Sequence, residues 1–230
     1  NKSPLEINSD GLRRFLDDLN YPLYFLDFET FQQAIPEFDG VSPYMQIPFQ
    51  YSLHIQRAQG GVLEHQEYLA PCGIDPRRGL AEQLVHDIPK CSCILAYNMS
   101  FEKGVITRLS RMYPDLEEHL LSLLDGFRDL MVPFQKMDIY SHEMAGSYSI
   151  KKVLPALCGD DPELHYDALN GIHNGAEAMS AYSTLASRTP EEVAQIRKDL
   201  LAYCRLDTLA MVKILEKLHT LANDSSMSLD

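Results

Sequence analysis

The run Leu23-Tyr24-Phe25-Leu26-Asp27-Phe28-Glu29 constrains this chain more than any other stretch. Leu23 to Phe28 is short, apolar and aromatic, as expected of a strand buried on both faces. Side chains alternate along a strand, so Asp27 and Glu29 point the same way. Two carboxylates on one face of a buried strand repel and lose hydration unless a cation neutralises them. The D-x-E triplets at Asp115–Glu117 and Asp161–Glu163 stand in polar, turn-like surroundings and read as solvated surface. A strand emerging into solvent is the plain alternative for Asp27, and the rest of the chain decides between the two.

The surrounding pattern predicts an α/β domain with a mixed sheet flanked by helices. Phe49, Tyr51, Leu53 and Ile55 alternate along a second strand. Gly60-Gly61 turns the chain into a third strand, Val62 to Leu69, which makes a hairpin. A helix over about 79–88 precedes another apolar strand, Cys93 to Tyr97, which breaks at Asn98 and Ser100 into a helix. The second half reads as mostly helical: a segment holding Leu120, Leu121, Leu123 and Leu124, a short helix from Ser149 to Leu157, and a long final helix. Thr189-Pro190-Glu191-Glu192 starts that last helix, with a threonine cap, proline at the first helical position and glutamate three residues after the cap. It should run to about Leu221, leaving 223–230 as a flexible tail. A length of 230 residues fits one domain over 1–230.

Composition excludes several classes. A chain that is 45% hydrophobic is not a disordered acidic tail. Its net charge of −13 argues against wrapping long nucleic acid through phosphate contacts, but not against acids that hold metal ions. No apolar run approaches the ~20 residues of a membrane span. The 5 cysteines are an odd number, and Cys91-Ser92-Cys93 is too tight for zinc spacing. Free thiols in a reducing cytosol are the expectation, hence a cytoplasmic protein. The first residue is Asn1, which suggests a domain excised from a longer protein.

Two further clusters join the first. Asn98-Met99-Ser100-Phe101-Glu102 lies at a strand-to-helix junction, where a polar cap and an early glutamate also suit a helix start. Tyr203 and Asp207, four apart on a helix, share a face. Together, D-x-E on a strand, N-x-x-F-acid at a strand–helix turn and Y-x-x-x-D on a C-terminal helix resemble the DEDDy branch of the DEDD 3′–5′ exonuclease superfamily. Ser147-Tyr148-Ser149-Ile150-Lys151-Lys152-Val153-Leu154 is similar to an S-L-K-x-V element of those domains. The stretch from Gly146 to Leu157, with Tyr203 to Met211, also resembles a bacterial group described only as a domain of unknown function, whose members adjoin predicted nuclease domains.

The resemblance implies a ribonuclease-H-like mixed five-stranded sheet with flanking helices. It also implies two Mg²⁺ or Mn²⁺ ions, held by Asp27, Glu29, Glu102 and Asp207, with Tyr203 orienting the attacking water. Glu102 departs from the usual aspartate, and the extra methylene moves its carboxylate by roughly 1.5 Å. Candidate substrate contacts are Phe28, Thr30, Asn98 and Phe101, with the core as the rival place for Phe101. Lys151 would meet a phosphate, and Ser149 is a candidate phosphate contact or cap at the start of its helix. The implied substrate is a single-stranded or short nucleic-acid 3′ end, released as nucleoside 5′-monophosphates, with a fused or associated second nuclease domain as partner. The rival reading is a weak or inactive nuclease-fold module that binds nucleic acid or protein. His142, His165 and His173 have no ligand-like spacing with the acids and read as surface or core-edge residues.

Overall fold

The computed structural model describes residues 5–159 and 161–227. In chain order the elements are β1 (Glu6–Ile7), α1 (Ser9–Asp17), β2 (Leu23–Phe31), β3 (Ile47–Gln56), β4 (Leu63–Leu69), α2 (Arg77–Asp87), β5 (Cys93–Ala96), α3 (Ser100–Met112) and α4 (Glu117–Leu124). They continue with β6 (Phe127–Asp129), α5 (Val132–Gln135), β7 (Ile139–Tyr140), α6 (Ile150–Cys158), α7 (Gly175–Ser183) and α8 (Pro190–Met227). Five strands form a mixed sheet in the order β4-β3-β2-β5-β6. β3 runs antiparallel to both neighbours, while β2, β5 and β6 are parallel. The expected mixed five-stranded sheet and helical second half are both present. The short β1–β7 pair, β6, α1 and α7 lie beyond what the apolar pattern marked.

β2 is the central strand, and apolar side chains cover both of its faces. Tyr24, Leu26 and Phe28 pack with Leu80, Leu84, Val105, Leu109, Leu120 and Leu123 from α2, α3 and α4. Leu23 and Phe25 pack on the other side with Leu206, Ala210, Met211 and Ile214 of α8. A parallel neighbour forces such coverage, since the crossover helices lie over the sheet faces.

The second strand does not alternate simply. Glu29 pairs with Gln50 and Thr30 with Pro48, so Phe49 is an extra residue in a β-bulge. It leaves the face of Tyr51, Leu53 and Ile55 and joins Phe31 and Tyr182, stacking on the Tyr182 ring at 3.9 Å between centroids. All ten residues of β3 are buried, including its polar ones. Gln50 donates to the Leu200 carbonyl at 2.8 Å. The Thr208 hydroxyl sits 2.7 Å from the Ser52 hydroxyl and 2.8 Å from His54 Nδ1. Bonds between fixed polar groups thus set the register of α8 on the sheet, where an apolar contact would let it slide.

The start of α8 matches its sequence signal. Glu192 N–H donates to Thr189 Oγ1 at 3.3 Å, and Thr189 N–H donates to the Glu192 carboxylate at 2.9 Å. The helix continues past Leu221 to Met227; of the expected tail, 228–230 lie outside the described residues. At the other end of the chain, Gly11 lies against the Asp138 carboxylate, where a Cβ would come within 1.9 Å of Oδ1. No helix among the described residues is long and apolar enough to cross a membrane.

Candidate metal centre

Asp27 and Glu29 continue the Leu23–Phe25 face of β2, beneath α8. Asp207 and Tyr203 come down from α8 one turn apart. Glu102 enters from the first turn of α3, which follows β5, and β5 ends at the same sheet edge because it runs parallel to β2. The junction between β5 and α3 is built by Asp129 at the end of β6. Its carboxylate accepts from the backbone N–H of Asn98 at 2.9 Å, Met99 at 3.1 Å and Met131 at 3.0 Å. Asn98 takes a left-handed conformation (φ +70°), which asparagine tolerates better than most residues, and the chain turns sharply into the helix.

Glu29 and Glu102 are buried, with 8% and 3% of their surface exposed, and Asp27 and Asp207 are half-buried. Burial is the largest influence on all four. It pushes Asp27 well up from the usual carboxylate range, with Asp207, Glu29 and Glu102 adding repulsion. Glu29 rises to about 8 through burial and the charges of Asp207 and Glu102. Glu102 rises to about 8 through burial, with Asp129 also raising it. Asp207 rises only to about 6, because Tyr166 and Tyr203 donate hydrogen bonds to it and Lys151 lends positive charge. The Tyr166 hydroxyl lies 2.6 Å from Asp207 Oδ1. Burial, then the field of Asp207, raises Tyr203, so its hydroxyl stays protonated and donates.

Glu102 Oε2 is buried without a hydrogen-bond partner. A buried carboxyl oxygen in that state is satisfied by a proton, which its raised pKa favours, or by a counter-charge such as a cation. Ligand atoms of Asp27, Glu29 and Cys204 all lie within 4.8 Å of one another, close enough to meet around one ion. Asp207 and Glu102 are not in that group, but their charges act on Asp27 and Glu29, and carboxylates are hard-oxygen donors of the kind Mg²⁺ or Mn²⁺ takes.

The acids open onto a cavity of about 560 Å³. Its lining holds Asp27, Glu29, Tyr203 and Asp207 together with Tyr97, Ile150, Lys151, Leu154, His165 and Asn174. Asn174 caps α7 by accepting from Glu177 N–H at 3.1 Å, and the next residue, Gly175, comes so close that a Cβ would lie 3.6 Å from Glu29 Oε2.

The structure brings Asp27, Glu29, Glu102, Tyr203 and Asp207 to one sheet edge, with Lys151 on the cavity wall. Other candidates fall elsewhere. The Phe28 ring is buried edge-on to Tyr51, on the sheet face opposite the acids, and Thr30 is buried; neither side chain lines the cavity. Phe101 packs against the core of α2–α4, its rival position. Asn98 serves through its backbone, and the exposed Ser149 takes the cap position of α6 without making a side-chain capping bond. His165 is exposed and His173 half-buried, as expected of surface and core-edge residues, and both also line the cavity, in the segment between α6 and α7. That segment also supplies Tyr166, which no spacing signalled. Cys204 was visible beside Tyr203 but read as an inert thiol, and Asp129 had no motif around it.

Fold and site together define a mixed α/β domain with an acidic centre at one edge of its sheet. The chain belongs to the family described as "Domain of unknown function (DUF2779)", whose model matches residues 24–149, more than half of its length. That span takes in Asp27, Glu29 and Glu102 and ends before Tyr166, Tyr203 and Asp207. The chain is also similar to Uncharacterized protein UU173 of Ureaplasma parvum serovar 3, with 27% identity over 225 residues, covering 88% of this chain. It spans 32% of that relative's length. No solved structure matches.

Proposed function

We infer that this chain is a metal-dependent 3′–5′ exonuclease of the ribonuclease-H-like DEDDy class, hydrolysing phosphodiester bonds at the 3′ end of single-stranded or short nucleic acid. The observation that carries this reading is the convergence of Asp27 and Glu29 from β2, Glu102 from α3 and Tyr203 and Asp207 from α8, with Glu102 Oε2 buried and unpartnered. The strand order, with one reversed strand between β4 and β2, suits the same class.

Asp27, Glu29 and Asp207, with Glu102, would hold Mg²⁺ or Mn²⁺. Such ions, when bound, neutralise the carboxylates, acidify water and stabilise charge on the leaving 3′ oxygen. The chain's own groups do the rest. Tyr203, kept protonated by burial, orients the attacking water by hydrogen bonding and does not abstract its proton. Tyr166 fixes the Asp207 carboxylate through the 2.6 Å bond. Lys151, which lines the cavity and whose charge acts on Asp207, offers a positive charge to a backbone phosphate. A cavity of about 560 Å³ holds a terminal nucleotide, not a duplex. Gripping so few phosphates is compatible with a net charge of −13, since little affinity need come from phosphate contacts. The chain matches 32% of the relative's length, which leaves room in that protein for a further domain; a second nuclease domain beside this one is part of the same proposal.

Incubation of 3′- and 5′-labelled single strands with Mg²⁺ or Mn²⁺ tests the assignment. Stepwise shortening from the 3′ end, lost in Asp207→Ala, is the expected result. Equal cutting of a strand whose 3′ hydroxyl is blocked would point instead to an endonuclease and overturn it.

A further inference from the structure

Cys204 sits on α8 between Tyr203 and Asp207, with 0% of its surface exposed. Its Sγ lies 3.7 Å from Asp27 Oδ2 and 3.8 Å from the Asp27 carbonyl oxygen. In the metal-free chain the Cys204 S–H donates weak hydrogen bonds to both Asp27 oxygens; hard cations take oxygen ligands and would leave the sulfur out of their shell. For a thiophilic ion the geometry is different. Zinc bonds of about 2.3 Å to sulfur and about 2.1 Å to oxygen, at a tetrahedral angle, separate the two ligand atoms by about 3.6 Å. The observed 3.7 Å matches that spacing. Glu29 supplies a third donor within the same 4.8 Å. Glu102 adds a buried carboxylate oxygen with no partner, and its charge reaches both Asp27 and Glu29.

We propose that Asp27, Glu29 and Cys204 form a mixed oxygen–sulfur site for a thiophilic divalent cation, Zn²⁺ or its analogue Cd²⁺, which competes with Mg²⁺ or Mn²⁺ for Asp27. The proposal rests on the reading of Asp27 and Glu29 as metal ligands and adds a sulfur donor that the acidic motif does not contain. On binding, the Cys204 S–H bond breaks, the sulfur electron pair forms the bond to the metal, and the proton leaves to buffer. No electron is transferred. Because the thiolate and hard-ion sites share Asp27, zinc shuts the centre by occupying it.

Zinc K-edge absorption on the wild-type protein with one equivalent of Zn²⁺ reads the ligand set directly. One sulfur neighbour at about 2.3 Å is expected; a shell of oxygen and nitrogen alone overturns the proposal. A Cd²⁺ titration then assigns the sulfur. The ultraviolet thiolate-to-cadmium band should saturate at one equivalent and vanish in both Cys204→Ser and Asp27→Asn, although Cys72, Cys91, Cys93 and Cys158 remain. A band that survives in either folded variant places the sulfur elsewhere and refutes the assignment. Should Cys204→Ser fail to fold, Asp27→Asn alone decides. Mn²⁺ titration of the wild type, followed by electron paramagnetic resonance, separates the two readings. Mn²⁺ binding without a sulfur signal sinks this proposal and spares the exonuclease. A sulfur signal without Mn²⁺ binding or 3′ shortening supports the site and sinks the exonuclease.

Discussion

Replacing Glu102 with glutamine tests the electrostatics of the centre without any assumption about substrate. In the folded chain burial lifts Glu102 to about 8, against 4.5 for a solvated glutamate. Between those values the folded state binds more protons than the unfolded state, so the contribution of Glu102 is complete below pH 4.5 and is lost as pH rises through 8. At pH 7 the folded chain must keep Glu102 mostly protonated where the unfolded chain ionises it, which costs the metal-free protein about 3 kcal/mol, at about 1.4 kcal/mol per unit of pH. Glu102→Gln removes that penalty. Thermal unfolding of both proteins in chelator, from pH 4.5 to 8, should show curves that coincide at the acidic end and diverge upward. The variant should melt about 6–12 °C higher near pH 7, given 2–4 °C per kcal/mol for a chain of this size. A variant whose midpoint tracks the wild type at every pH, or lies below it by a constant amount, would refute the claim that Glu102 is buried without a counter-charge. Adding Mn²⁺ at pH 7 should then raise the midpoint of the wild type more than that of the variant, since ions bound only by the folded state stabilise it.

Four other substitutions probe separate parts of the structure. Tyr203→Phe should lower kcat by about 10²-fold with little change in KM, if the hydroxyl orients water and nothing else; a purely raised KM would assign the residue to binding. Tyr166→Phe removes the donor to Asp207 and should weaken Mn²⁺ binding about 10–100-fold by calorimetry, as loss of a group that orients a ligand does. Thr208→Val leaves the Ser52 and His54 contacts unmade and should cost about 1–3 kcal/mol in urea unfolding. Phe49→Ala empties the bulge position stacked on Tyr182 and should cost about 3–5 kcal/mol by the same measure.

The sequence carried those features that local chemistry decides. An aromatic run ending in Asp27 and Glu29 forms a buried strand with an acidic end, and Thr189 with Glu192 starts a helix. Tyr203 and Asp207 share a helical face whatever surrounds them. What escaped depends on pairing and on distant packing. The bulge at Phe49 is a matter of register between two strands, and a period-two pattern cannot contain it. β6 has only three residues, too few to show a period, yet its Asp129 builds the turn that aims Glu102. Tyr166, His165 and His173 lie in a segment without regular structure, so only the fold could bring them to the acids. Phe28 misled for the opposite reason: adjacency to the acids in sequence puts its ring on the far face of the strand.

The chemistry and the walls of the cavity are carried by different kinds of chain. Asp27 stands on β2 and Asp207 on α8; Ser52 and His54 of β3, the strand paired with β2, hold α8 through Thr208. Much of the remaining lining is shared between α6 and residues 161–174, the latter short turns joined by irregular backbone. Insertions or replacements in that stretch would reshape what enters the cavity while leaving the acids in place. The cavity's shape can thus change with a loop while the carboxylates keep their places, so long as a hydroxyl still reaches Asp207 as Tyr166 does.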